Sequence, residues 1–489
     1  MLFSELLEAS GAPVKSRRGE AAVEGVALDS RQCRKGSCMI AAKGETTDGH
    51  AFIRQAVAAG ASAIICQDDS LTDPDVACAV LDDTRAWAGP IAQAFHGWPS
   101  RRLTTIGITG TKGKSTTAYI LRSILTHVGR KAAVLGTIEY NTGGRSIPAP
   151  NTTPDGVQLA SLCAESLNAG CTHLVMEVSS HALDQHRVAG MEFNVGVFTN
   201  LSGDHMDYHK NADAYFAAKR KLFEGLSPSS VGVINVDDDR AASLVRAVCG
   251  RVITYGIRGQ CDLRAQIERI DSSGMRMALC MQGERRVIRT SLLGTHNAYN
   301  CLAAAGAAVA LGLGFEAVAE ALEQDIKVPG RLESVETHAG FRVLVDYAHT
   351  DDSLRNVLSL TRELCAKGRI IVAFGCGGDR DRTKRPRMAR VAEELADVLV
   401  VTSDNPRTES PQSIIDEVVG GFTPQGRRKA IVEIDRRSAI ALAVNEAREG
   451  DIVLIAGKGH ETYQIIGAAR EHFDDREVAA QAVAAREGV

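Results

Sequence analysis

The chain has 489 residues, 44% hydrophobic and 24% charged, which is ordinary for a soluble globular protein of roughly two to four domains. Its 56 basic and 60 acidic side chains leave a formal net charge of −4 and its aromatics are only 4%, so neither a polyanion-binding surface nor base stacking is implied. No stretch has the length of a membrane span or the pattern of a signal peptide, and the 12 cysteines, without a CxxC pair, suit free thiols in a reducing cytoplasm.

Residues 1–100 read as a small α/β domain. Residues 26–31 look like a strand running into a polar turn, 51–60 like a short helix, 61–66 like a strand and 84–95 like a helix, with 96–102 as a linker. Nothing in this domain's local pattern states a chemistry.

A second domain, 101–328, opens with an apolar strand at 103–109, then Gly110-Thr111-Lys112-Gly113-Lys114-Ser115-Thr116, then a helix with apolar residues at helical spacing. Strand, glycine-containing turn and helix make a phosphate cradle. The glycines let backbone N–H groups approach the anion, Lys114 supplies charge for the outer phosphates, and the Ser115 hydroxyl suits a magnesium ion. Ile108 stands where the general nucleotide pattern wants a glycine, yet both flanking elements fit an ATP site. Further strands are predicted at 134–138, 173–178, 195–199 and 232–235, and near-continuous apolar runs separated by helices indicate a parallel sheet covered on both faces.

Polar residues cluster where those strands end, the usual place for a site in such a sheet. Glu177 is placed to hold magnesium, or else to cap the helix that follows. Asp204, His205 and His209 follow the strand at 195–199; magnesium prefers oxygen, so a structural role is the alternative for each histidine. On the helix around 215–223, Phe216, Lys219 and Phe223 share one face, which turns Lys219 inward. A buried amine tends to lose its proton, and a neutral amine can combine with carbon dioxide to give an anionic carbamate; a lysine snorkelling from a core helix is the other reading.

The third domain, 329–489, alternates again. Strands are predicted at 341–345, 370–374, 398–402 and 451–455, with helices at 351–364, 387–396, 411–420 and 437–449 between them. This is the pattern of an open doubly wound sheet of the dinucleotide-binding kind, although Gly375-Cys376-Gly377-Gly378-Asp379 does not match GxGxxG and gives no nicotinamide site.

With the phosphate loop, Asn151-Thr152-Thr153-Pro154, Met176-Glu177-Val178-Ser179-Ser180-His181, Gln185-His186-Arg187, Asp204-His205, Ala218-Lys219, Asn297 and Asn300, Pro329-Gly330-Arg331 and Asp346-Tyr347-Ala348-His349-Thr350 in hand, the whole chain resembles the Mur ligases of peptidoglycan synthesis. It is most similar to members that add the third residue of the stem peptide. The resemblance implies that Lys219 is a carbamate bridging two magnesium ions, with Glu177, His205 and Ser115 around them. It implies ATP contacts from the loop, Asn297, Asn300, Arg331 and Asp346, with His349 helping to couple the third domain to ATP. Leu28, Ser30, Glu45, Thr46 and Thr47 would hold a uridine nucleotide, and Asn151, Thr152, Thr153, Ser179, Gln185 and Arg187 the muramoyl dipeptide attached to it. Arg380, Asp404-Asn405-Pro406-Arg407, Gly457 and Glu461 would hold the acceptor amino acid.

Two acceptors are conceivable, lysine and meso-diaminopimelate, and only the second carries a carboxylate at its far end. A guanidinium matches that carboxylate bidentately, so Arg407 favours meso-diaminopimelate. The expected enzyme is an ATP-dependent ligase acting as a cytoplasmic monomer, without nucleic acid or membrane. A lysine-adding or folylpolyglutamate synthetase-like ligase is the rival within the group; a P-loop kinase or a nucleotide-gated binding protein is the rival outside it. Lys112, Gly203, Asp351 and His296 depart from the family's commoner residues without removing a group that the chemistry requires.

Overall fold

The computed structural model describes residues 1–45, 47–203, 206–271, 274–365 and 367–488. Among them are three larger β-sheets and a two-stranded one, distributed over two compact units, the first centred on Met1–Glu268 and the second on Lys327–Val489. Both the expected N-terminal and central domains contribute to the first unit. Among the described residues no helix is long and apolar enough to cross a membrane.

The N-terminal sheet runs in the order Ser16–Arg18, Ala77–Val80, Ala61–Cys66, Ser37–Ile40 and Gly25–Ala27, all neighbours parallel except the first pair. The helix Thr84–Phe95 forms as expected, its Asp83 carboxylate capping the N–H groups of Arg85 and Ala86. The stretch expected as a helix at 51–60 is instead a 3-10 turn, Gly49–Phe52, leading into a short helix, Ile53–Ala58. Asp48 caps that turn, which sets the start earlier. The expected linker 96–102 is also ordered, with a 3-10 turn at Pro99–Arg102, Ser100 buried, and the Trp98 indole donating to the Ala9 carbonyl.

Eleven strands make the second sheet. Its middle is the parallel series Arg251–Gly256, Val231–Asn235, Val195–Phe198, Thr104–Thr109, His173–Glu177 and Ala132–Leu135. The strand expected at 134–138 therefore starts and ends earlier, and Thr137 lies beyond it, free to bind the Glu177 carboxylate. Parallel register puts Glu177 opposite Ile108 and Phe198 opposite Thr109, so these strands end at one edge. The helix Lys114–His127 leaves that edge and packs on Thr295–Ala310, whose alanines permit close approach. The sheet is extended by Leu263–Asp271, Gly274–Met281 and Glu284–Thr290, which the sequence reading passed over; charged residues recur along the first and third, and Arg276 breaks the otherwise buried second.

The main sheet of the second unit has six strands in the order Glu333–Val335, Arg342–Asp346, Ile452–Ala456, Ile370–Phe374, Val398–Val401 and Ala430–Val432, antiparallel only at the first pair, and a separate hairpin pairs Tyr463–Ile466 with Ala469–His472. Apolar side chains from both faces are buried beneath flanking helices, as a doubly wound sheet requires. The predicted helices form at Asp351–Leu364, Lys384–Leu395, Pro411–Gly420 and Arg436–Glu446. The loops after Asp346, Phe374, Val401 and Ala456 leave at the carboxyl edge and carry the candidate acceptor residues.

Candidate active site

The phosphate loop is held from one side by the neighbouring strand's exit. Asn200 accepts from the Thr111 N–H through its carbonyl (2.8 Å) and from the Lys112 N–H through its side chain (3.0 Å), and the Thr199 hydroxyl donates to the Lys112 carbonyl (2.7 Å). Gly113 has φ +87°, and a Cβ there would run into the Asn300 side-chain oxygen. Glycine is therefore required both for the turn and for the close approach of Asn300. Asn300 in turn donates to Asn297 (2.9 Å), so of the two buried asparagines expected to serve ATP, Asn300 meets the loop and Asn297 supports it from behind. Lys114 donates to the carbonyls of Gly110 and Thr111 at 3.0 and 2.9 Å.

Lys219 is only 1% exposed, between buried Phe216 and Phe223, and its Nζ donates to the Gly110 carbonyl at 2.7 Å. It thus reaches the edge where the phosphate loop begins. Glu177, also buried, ends its strand and does not cap the next helix; Ser179 does, accepting from the Ala182 N–H. The Glu177 carboxylate accepts from the Thr137 N–H (2.8 Å) and hydroxyl (3.1 Å), and the Thr137 hydroxyl lies 3.0 Å from that of Thr152. Thr153 donates to the Glu177 carbonyl (2.8 Å), while the Ser179 N–H donates to Thr153 (3.0 Å). Thr152, Thr153, Ser179 and Glu177 are therefore one hydrogen-bonded group. Glu177 and Ser115 present hard oxygen donors at this edge, a set that fits magnesium. His209 is a buried structural histidine, 2.9 Å from the Ser180 hydroxyl. Asp204, His205 and Thr46 lie outside the described residues.

A cavity of about 790 Å³ in the first unit is lined by Leu28, Ser30, Thr47, Asn151, Gln185 and Arg187, six of the residues expected to hold the nucleotide and dipeptide. Glu45 joins them by accepting from the Gln185 amide (2.7 Å), and the Arg187 guanidinium donates to Gln185 and to the Thr153 carbonyl. Sequence reasoning missed Arg31, Lys43 and Arg85 in the same lining. They come from separate segments and converge only in the fold. Several cations beside apolar side chains such as Leu28, Met39 and Phe52 suit a ligand that is phosphorylated at one end and apolar-faced at another.

In the second unit, Asp346 accepts from the backbone N–H groups of Leu332 (2.8 Å) and Ala348 (2.9 Å), and the Arg331 guanidinium lies 5.0 Å from the Tyr347 ring. His349 Nδ1 is 2.8 Å from the Tyr347 carbonyl, which can only accept, so Nδ1 carries the proton. Loss of hydration holds this imidazole below its ordinary pKa, leaving it neutral. Along the same edge, Arg407 has φ +53°, a conformation that side chains seldom adopt, and donates to the Gly378 carbonyl at 2.8 Å. Asn405 donates to Glu461 (2.8 Å), and Gly457, at φ +123°, lets Asp404 approach its backbone. Burial first, and then the Asp404 charge, push the Glu461 carboxyl above its ordinary pKa. Arg380 sits at the rim, exposed and bonded to the Asp379 carbonyl. Lys458, buried among Asp404, Asn405 and Glu461, was not anticipated, because a lysine after a strand reads as solvated.

Residues 22–95 match the Mur ligase family, catalytic domain; 108–308 match the Mur ligase middle domain; and 330–459 match the Mur ligase, glutamate ligase domain. A UDP-N-acetylmuramoyl-L-alanyl-D-glutamate--2,6-diaminopimelate ligase of Geobacter metallireducens is 44% identical over 481 residues, covering 94% of each chain. A solved structure of a ligase with the same name superimposes with a TM-score of 0.70 at 31% identity, covering 99% of both chains. Folylpolyglutamate synthase of Mycobacterium tuberculosis, solved with ADP and AMPPCP, shares the fold at a TM-score of 0.62 and 19% identity, covering 81% of this chain and 94% of its own. With all three domains matched and near-complete coverage by relatives well above 30% identity, this chain belongs to the Mur ligase family.

Proposed function

We propose that the protein is the ATP-dependent ligase that joins meso-diaminopimelate to the D-glutamate of UDP-N-acetylmuramoyl-L-alanyl-D-glutamate in peptidoglycan synthesis. The observation that carries the choice of acceptor is the grouping of one guanidinium, Arg407, with the carboxylates Asp404 and Glu461 at one sheet edge. An amino-acid head group offers a carboxylate to the first and an ammonium to the other two. Lysine lacks that distal carboxylate, and its acceptance would leave Arg407 unmatched.

Condensing a carboxylate with an amine in water is unfavourable, so the carboxylate must first gain a leaving group. The D-glutamate side-chain carboxylate attacks the γ-phosphorus of ATP, ADP departs, and an acyl phosphate remains. The acceptor amine then attacks the acyl carbon, phosphate leaves, and the nitrogen gives up a proton. Lys114 and the loop N–H groups neutralise the phosphates and orient them. Glu177, Ser115 and His205 would hold two magnesium ions, with Lys219 as a carbamate; bound there, the ions would neutralise charge on the transferring phosphoryl group. Asn297, Asn300, Arg331, Asp346 and His349 serve ATP in this reading. Residues 1–100 take the uridine nucleotide, 101–328 ATP and 329–489 the acceptor. Twelve free cysteines and ATP use suit the cytoplasm, and a monomer suffices for the reaction.

The test is the mass of the product formed from ATP, the muramoyl dipeptide nucleotide and each diamino acid. Formation of the lysine adduct with none from meso-diaminopimelate would overturn the reading. Label from γ-phosphate retained on a product, instead of appearing as free phosphate, would indicate a kinase.

A further inference from the structure

We propose that Lys458 is a positioning residue of the acceptor site, fixing the orientation of Asn405 and keeping Glu461 an anion able to receive the acceptor's ammonium. The inference rests on the acceptor reading above and assigns a role to a residue that never needs to touch substrate.

Lys458 is fully buried, and its Nζ lies 3.1 Å from the Asn405 side-chain oxygen and 3.6 Å from a carboxylate oxygen of each of Asp404 and Glu461. The Ile465 N–H donates to the same Asn405 oxygen at 2.9 Å. An ammonium and a backbone N–H can only donate, so the oxygen end of the Asn405 amide must face them. The amide's NH2 end is thereby turned to Glu461, which accepts at 2.8 Å. The lysine and the Ile465 N–H together decide which way the amide points, and the amide turns its NH2 to a Glu461 oxygen that accepts.

Charge gives the second half of the argument. Asp404 and Glu461 are two carboxylates facing one resident ammonium, and the inner Asp404 oxygen has no hydrogen-bond partner among the described residues. Like charges in a desolvated site oppose each other's ionisation, and Lys458 counters that. The groups facing Glu461 are Asp404, Lys458, Arg407, Arg436, Tyr347 and Tyr463. Tyr347 and Tyr463 are neutral at working pH, and Arg436 is already paired with Asp475. Lys458 and Arg407 are the cations left to favour the Glu461 anion, and Arg407 is committed to the acceptor's carboxylate.

Without the lysine, Glu461 takes up its proton at a higher pH, and a protonated Glu461 no longer attracts an ammonium. The experiment measures the KM for meso-diaminopimelate of Lys458→Met and wild type at pH 6.5 and pH 9. The ratio of the two KM values is expected to be larger at pH 6.5 than at pH 9, by up to about tenfold for each unit by which loss of the lysine raises the Glu461 pKa. The ratios of kcat and of KM for ATP should stay flat, and so should every ratio for Lys458→Arg and for Lys458→Met combined with Glu461→Gln. Should Lys458→Met fail to fold, Lys458→Gln, which can still donate to Asn405 without a charge, carries the same test. A KM ratio equal at both pH values overturns the role. Failure of wild type to release phosphate with meso-diaminopimelate overturns the acceptor reading and the role together.

Discussion

The ammonium of Lys219 donates to the carbonyl of Gly110 at 2.7 Å, tying a side chain from the middle of one helix to the first residue of the phosphate loop. A lysine with 1% exposure at that place is costly unless its head group has a task there. Replacing it by alanine removes the amine that would become a carbamate and leaves the surrounding apolar contacts of Phe216 and Phe223 in place. Lys219→Ala is expected to lose about 100-fold or more in kcat while retaining native circular dichroism, as befits loss of a group acting on the transferring phosphoryl. Depleting carbon dioxide from the buffer should slow wild type and leave the variant unchanged. Full activity of the variant would refute the carbamate.

Gly113 is the second point of leverage on the same loop. Its φ of +87° and the crowding of a Cβ against Asn300 act together, one on the backbone and one on a neighbour. Gly113→Ala is expected to raise KM for ATP by about tenfold, with little change in KM for the other substrates, since misplacing a cradle weakens positioning at the phosphates. An unchanged KM for ATP in Gly113→Ala would sink the argument.

Gly113 was legible from the sequence because phosphate cradles are local, with seven consecutive residues, a strand before and a helix after, and Lys219 because it shares one helical face with Phe216 and Phe223. The strands at 195–198, 231–235, 370–374 and 452–456 were legible for a similar reason, since a strand buried on both faces is a continuous apolar run. Residues 263–290 were not, because charged residues recur along Leu263–Asp271 and Glu284–Thr290, and the mostly buried Gly274–Met281 between them is broken by Arg276. Arg31, Lys43 and Arg85 escaped because three segments must fold before their charges share a cavity. Lys458 escaped because burial of a lysine is decided by loops that come from distant strands.

Arg407 combines a left-handed backbone with a guanidinium anchored to the Gly378 carbonyl, so its fork is oriented before any ligand arrives. Arg407→Ala is expected to lower kcat/KM for meso-diaminopimelate by about 100-fold, the scale of a lost bidentate charged pair. Arg407→Lys should recover little, because an ammonium cannot reproduce two parallel hydrogen bonds. Steady-state phosphate release with each diamino acid measures both. A rise in lysine use without loss of meso-diaminopimelate use would count against a carboxylate-binding role.

Acid should probe the second unit through Glu409. The buried Arg385 guanidinium bonds both of its oxygens, at 2.8 and 3.0 Å, and holds its carboxyl down at about 2. A carboxyl whose folded pKa lies below its unfolded value, about 4.3, stabilises the fold above that value and loses the contribution as pH falls towards 2. Glu409→Gln is therefore expected to be less stable than wild type at pH 7, with the gap closing between about pH 4.5 and pH 2. Urea unfolding at several pH values measures it. A gap constant down to pH 2 would mean that lost packing, and not the charge, causes the difference.

Arg436 and Asp475 form an ion pair with neither side chain exposed, closed by two hydrogen bonds of 2.8 and 2.7 Å. The guanidinium also donates to the carbonyls of Ser403 and Ala456, so one side chain fastens the exits of the two strands that lead to Asp404 and Gly457. Removing one partner leaves the other charged and dry, and Arg436→Met or Asp475→Leu alone is expected to cost about 3–5 kcal/mol of unfolding free energy. Replacing both by apolar residues removes the stranded charge, and the double variant should recover part of that stability, remaining about 1–3 kcal/mol short of wild type for the carbonyls left without a donor. The acceptor site would not recover with it, because the carbonyls of Ser403 and Ala456 would still lack their donor. The double variant should then be stable to urea yet have a raised KM for meso-diaminopimelate. A double variant with restored stability and an unaltered KM would show that the pair supports the fold and not the site.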